Sequence, residues 1–272
     1  MKKIFLIMMA VSFCAAVALA DPVDRELPAT TPAQIKNNAR EMIDQGFDPQ
    51  AVINMTQQML ANNFGEQQVL QAQVMLMDAR RQGLPTEPLM NKAYEGLAKQ
   101  VQDKAVVKAM ERVRSRYEYA TKQAGTITND KAKANRMAGV LAESMSAGMH
   151  EQDAERIMQA LRERTRNMAQ VHSEELALQT LMTTRAMVRL RMQSKSVGDS
   201  VCRALQQGCS AQEMHQMRNT VMANARHSGS ESFSKGPGSN SGQQGGQPGM
   251  GDRGGDSGGG MGGGSGGGGG RK

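Results

Sequence analysis

The sequence predicts an all-α fold: short antiparallel helical hairpins stacked into a solenoid-like array or an irregular bundle, followed by a disordered glycine-rich tail. Three observations carry that prediction. Apolar residues recur at helical spacing from Thr31 onward, with no alternating strand pattern. A glycine followed by an apolar or sulfur-bearing residue recurs between the periodic segments. After His227 the composition turns abruptly to glycine and small polar residues.

Residues 1–20 read as a cleavable secretory signal of bacterial type. Lys2 and Lys3 give the positive start, Ile4 to Leu19 carry no charge, and Ala18-Leu19-Ala20 place small residues where a signal peptidase cuts, between Ala20 and Asp21. The apolar stretch is short for a membrane span and nothing of comparable apolarity follows, so no transmembrane segment is expected after cleavage. Cys14 follows the bulky Phe13, which disfavours lipidation. The mature chain is expected in the periplasm or outside the cell, with residues 21–30 as an N-terminal linker.

Residues 31–227 form the expected helical-repeat domain, large enough for a substantial core. Four segments align on Gly46, Gly83, Gly148 and Gly208, each followed by Phe47, Leu84, Met149 or Cys209. Val52, Leu89, Ala154 and Met214 lie six residues after the glycines; Met59, Gly96, Leu161 and Val221 lie thirteen after. Glycine enters the left-handed conformation that ends a helix without a Cβ penalty, and the next residue folds back on the finished helix. Start signals follow: Asp48-Pro49 places proline at the first helical position, and Ser210 to Glu213 reads as a capping box. Asn63-Phe64 and Gln100-Val101 are weaker copies, so turns at 46, 63, 83 and 100 are 17, 20 and 17 residues apart. Gly125, Gln170 to Ser173 and Ser196 to Gly198 are expected as further turns. The segment after His150 is the clearest amphipathic helix, with Ala154, Ile157, Met158, Leu161 and Met168 on one stripe.

Residues 228–272 hold most of the chain's 30 glycines and cannot bury enough apolar surface to fold. One Arg253-Gly254-Gly255 behind an export signal is too little to read as RNA binding.

Composition excludes more function than it suggests. Aromatics are 3% of the chain and Trp is absent, so stacking platforms for bases or sugars are hard to build and no nucleic-acid partner is expected. The 23 methionines serve as adaptable core aliphatics. His150, His172, His215 and His227 are scattered, without metal-ligand spacing, and no nucleophile elbow, phosphate loop or dinucleotide fingerprint is present. An enzyme is therefore not expected, nor a cofactor or a small-molecule substrate. Cys202 and Cys209 are expected to pair as a disulfide clipping the turn at Gly208, a bond of about 2–3 kcal/mol in such a loop. The competing use of the same region is a soft-metal site for Cu(I) from Cys209, Met214, His215 and Met217, although Met214 and Met217 also occupy core offsets of the repeat. Arginines group at Arg162, Arg164 and Arg166 and at Arg185, Arg189 and Arg191 with Lys195, solvated faces or docking surfaces for an anionic partner. The expected function is an exported, non-catalytic interaction or scaffold protein that holds a protein partner of the cell envelope. Copper binding and a periplasmic chaperone-like cradle are the alternatives.

Overall fold

Where each helix stops decides this architecture. A computed structural model describes residues 21–233, with side chains to Arg226; the proposed signal, Ala20 at its cleavage site and the glycine-rich tail lie outside the described residues. Eleven helices and no strand occur among the described residues: α1(Pro22–Glu26), α2(Ala33–Asp44), α3(Pro49–Ala61), α4(Glu66–Arg81), α5(Glu87–Ala98), α6(Asp103–Gly125), α7(Lys131–Ser146), α8(Glu151–Thr165), α9(Gln170–Arg189), α10(Ser194–Gln206) and α11(Ala211–Phe233). None is long and apolar enough to cross a membrane.

Among the described residues seven have positive φ, and each lies two positions past a helix end: Gly46, Asn63, Gly83, Gln100, Gly148, Arg191 and Gly208. In every case the following amide donates to the carbonyl five residues earlier. The pairs are Phe47 to Met42 (3.1 Å), Phe64 to Met59 (3.0 Å), Leu84 to Ala79 (2.9 Å), Val101 to Gly96 (3.0 Å), Met149 to Ser144 (3.0 Å), Met192 to Met187 (3.3 Å) and Cys209 to Ala204 (3.1 Å). This is the Schellman closure, which satisfies carbonyls that a helix C-terminus leaves orphaned. The four aligned glycines and the two weaker copies thus act as expected. Start signals act too: Ala51 N–H donates to Asp48 Oδ1 at 2.7 Å, and Glu213 closes the capping box by accepting from Ser210 N–H at 2.7 Å.

Three expectations about turns and linkers need correction. Ser196 to Gly198 lie inside α10, where Gly198 packs on Asp153; the turn is at Leu190–Met192, with Arg191 as its left-handed residue. Gln170 to Ser173 open α9 rather than precede it, and the connection is Arg166 to Ala169. The proposed linker 21–30 contains α1, capped by Asp21 accepting from Val23 N–H at 3.0 Å, with Val23 and Leu27 buried. Asp21-Pro22 is the same start signal as Asp48-Pro49, and Val23 and Leu27 share a helical face.

Helices alternate between two layers. One carries α2, α4 and α6, then α7 and α9; the other carries α3 and α5, then α8 and α10, each packing on its next-but-one neighbour. A four-helix order therefore occurs twice, α2–α5 and α7–α10, with Gly46, Gly83 and Gln100 answered by Gly148, Arg191 and Gly208. Each set is followed in the chain by a helix of 23 residues. The apolar interior is correspondingly double. The first core includes Ile35, Met42, Ile53, Met55, Met59 and Leu76; the second includes Met137, Leu141, Ile157, Met158, Leu161 and Leu205. Helix α6 belongs to both, giving Val106, Val107, Met110 and Val113 to the first and Ala120 and Ala124 to the second, with Tyr117 packed against each. Gly96, the one aligned position without a packing side chain, is where α6 crosses α5 closely. A Cβ there would lie 2.5 Å from a Val106 methyl.

Candidate partner-binding groove

Helix α6 presents three faces, and only one lacks intramolecular partners. Val106, Val107, Met110 and Val113 point to the core. A flank carries Arg114, which bonds Glu118 at 2.8 Å and reaches Asp78 of α4 at 3.9 Å. The outer face carries Lys104, Lys108, Arg112 and Arg116 at successive i, i+4 positions. The first three are exposed and Arg116 is half-buried, its Nε donating to the Arg112 carbonyl at 3.2 Å. Among the described residues none of these four cations is in an ion pair within 4.0 Å.

That row is locally unfavourable. Like charges at i, i+4 destabilise a helix by about 0.2–0.5 kcal/mol per pair, and Lys104 sits in the first turn, where the dipole disfavours a cation. Three such pairs follow one another here, with Glu111 beside them but no ion pair within 4.0 Å.

Two connected hollows flank the row. One, of about 690 Å³, is lined by Lys92, Lys108, Ala109, Glu111, Arg112, Ser115 and Arg116. The other, of about 380 Å³, lies among α5, α6 and α7 and shares Lys92 and Arg116, adding Glu87, Asn91, Tyr117 and Glu143. Glu95 at its edge is held down to about 2 by hydrogen bonds from Lys92 and Lys99. Glu143 accepts from Arg185 at 2.9 Å and Arg189 at 2.7 Å, and burial pushes the Tyr117 phenol up.

The sites expected from sequence resolve differently. Cys202 and Cys209 are free thiols, which corrects the disulfide: the Schellman return places Cys209 over Ala204, while Cys202 is buried near Asp153, Arg156 and Asp199. The soft-metal set does not converge. Met214 is fully buried with its carbonyl accepting from Thr183 Oγ1 at 2.8 Å, Met217 packs on the second core, and His215 is exposed. Successive helical residues point about 100° apart, so core packing of Met214 turns His215 outward. No group of three or more His, Cys, Asp or Glu side chains suited to a metal occurs among the described residues.

Both arginine groups are partly consumed internally, while Arg166, Arg191 and Lys195 stand in no ion pair within 4.0 Å. Arg162 bonds Glu155 at 2.9 Å and Gln123 at 2.7 Å, Arg164 caps the Gly208 carbonyl at 3.1 Å, and Arg185 and Arg189 share Glu143. The Arg162 guanidinium, Tyr119 and Gln123 together hold the Glu155 carboxyl below its usual range, so it is a tied acceptor rather than a poised acid. His150 stands at the N-cap of α8 without a side-chain capping bond. Sequence reasoning passed over the α6 row, although its signal, four cations at strict i, i+4 spacing, was present. No family model, curated protein or solved structure matches this chain.

Proposed function

We propose that this chain is an exported, non-catalytic interaction protein whose helical array holds a protein partner of the cell envelope on the α5–α6–α7 groove. One observation carries the proposal: four cations follow one another at i, i+4 spacing on α6, none of them in an intramolecular ion pair, and Lys108, Arg112 and Arg116 border a groove. Other cations, among them Arg136, Arg166, Arg191 and Lys195, also stand in no ion pair within 4.0 Å, but the α6 row is set apart by four in succession at one spacing along one helix. Two-layer helical arrays commonly bind along such extended surfaces. The signal-like pattern of residues 1–20, Lys2 and Lys3 before an uncharged apolar run, supports the compartment.

The test is native isolation of the full chain from the cell envelope at low ionic strength, followed by size-exclusion chromatography with light scattering and mass spectrometry. A polypeptide co-migrating in fixed stoichiometry is expected. A chain that elutes alone after gentle extraction, with or without chemical cross-linking, contradicts the proposal.

A further inference from the structure

We infer that the α6 row recognises an acidic α-helical segment of the partner, with carboxylates repeated at i, i+4. The inference rests on the interaction reading above and specifies its chemistry. Lys104, Lys108, Arg112 and Arg116 rise about 6 Å per step along one slowly winding row. A second helix lying alongside with Glu or Asp every fourth residue repeats its charges at that same pitch, so several pairs align in one register. The like-charge repulsion stored along α6 is relieved when that partner docks, which rewards an anionic occupant specifically.

Features beside the row select a polypeptide over other polyanions. Glu111 stands among the cations in the groove wall, and Glu87 lines the neighbouring hollow. A nucleic-acid backbone or an anionic bilayer presents unbroken negative charge and meets both as repulsion. A peptide places a lysine opposite Glu111. Ala109 and Ser115 are the other residues of that wall, and their short side chains leave room for a helix to approach α6. Among the residues lining the two hollows Tyr117 is the only aromatic, too few for base stacking.

The probe is a synthetic helical peptide with Glu at every fourth position, titrated into the full chain by fluorescence anisotropy. A peptide of identical composition with shuffled Glu positions, a single-stranded oligonucleotide and phosphatidylglycerol vesicles serve as comparators. The ordered peptide is expected to bind at least about fivefold tighter than the shuffled one, and to weaken steeply at about 0.3 M salt. The triple variant K104E/K108E/R112E is expected to lose at least about tenfold in affinity, since three attractions become repulsions. Its urea midpoint stays equal or higher, because these exposed side chains anchor nothing. Equal binding of both peptides, an unaffected triple variant, absence of peptide binding, or tighter binding of the oligonucleotide or vesicles overturns the inference. Separately, a native partner retained equally by the triple variant removes the α6 row but leaves the interaction reading standing.

Discussion

The same substitution, glycine to alanine, should have opposite signs at Gly83 and Gly139. Gly83 has φ +72° after α4, and an ideal Cβ there meets no atom within 4 Å. Packing therefore contributes nothing, and Gly83→Ala isolates the backbone cost. Forcing an L-residue left-handed costs about 1–2 kcal/mol. The reduced freedom of the unfolded chain returns about 0.4–1 kcal/mol, leaving a net loss of roughly 0.5–1.5 kcal/mol. Gly139 lies inside α7, also with nothing within 4 Å of its Cβ, so Gly139→Ala should gain up to about 1 kcal/mol of helix propensity. Gln100, at φ +52°, supplies the mirror test: Gln100→Gly relieves strain and should stabilise by about 0.5 kcal/mol after glycine's own entropic cost. Urea denaturation followed by circular dichroism at constant m reads all three. Destabilisation by Gly139→Ala equal to that of Gly83→Ala would refute the assignment of these positions to a left-handed stop and a helix interior.

Gly96→Val should cost about 1–3 kcal/mol by overpacking against Val106, read as a lowered urea midpoint; a neutral result would mean α5 and α6 do not approach closely there. Thiol titration of unreduced protein should find both cysteines free, Cys209 reacting faster than Cys202, whose thiol burial pushes up; no titratable thiol would restore the disulfide. Glu174 is buried at the start of α9, and hydrogen bonds from Lys133, first, and Thr128 hold its carboxyl below the usual 4.5. A carboxyl depressed in the folded state stabilises above its unfolded pKa, and that contribution is lost as pH falls from about 4.5 through the folded value. Melting temperature should therefore fall more steeply across this window in the wild type than in Glu174→Gln, and parallel slopes would contradict the pairing.

Stop signals were the most legible part of the fold. Gly46, Gly83, Gly148 and Gly208 could be read because glycine is the cheapest left-handed residue, and Asn63 because asparagine tolerates that conformation. Arg191 escaped because arginine has no such preference; only the Schellman bond from Met192 to Met187 reveals it. Gly198 misled for the converse reason, being a glycine inside a helix that packs beside Asp153 without a left-handed φ. The larger four-helix repeat was hidden because its corresponding turns carry different residues. The candidate groove was hidden for another reason: a lysine or arginine looks the same in sequence whether it is paired or not. The conspicuous arginines near 162 and 185 turned out to have partners from distant helices, Gln123 and Glu143, while the plainer row on α6 had none.

The most direct test of the groove is site-specific photo-cross-linking in the cell. A photoreactive residue at Ser115, exposed in the groove wall, is compared with one at Gln67, exposed on α4. The groove assignment predicts a discrete adduct with one acidic polypeptide from Ser115, abolished by K104E/K108E/R112E, and none from Gln67. Adducts of equal yield from both positions, or an adduct from Gln67 alone, would contradict it.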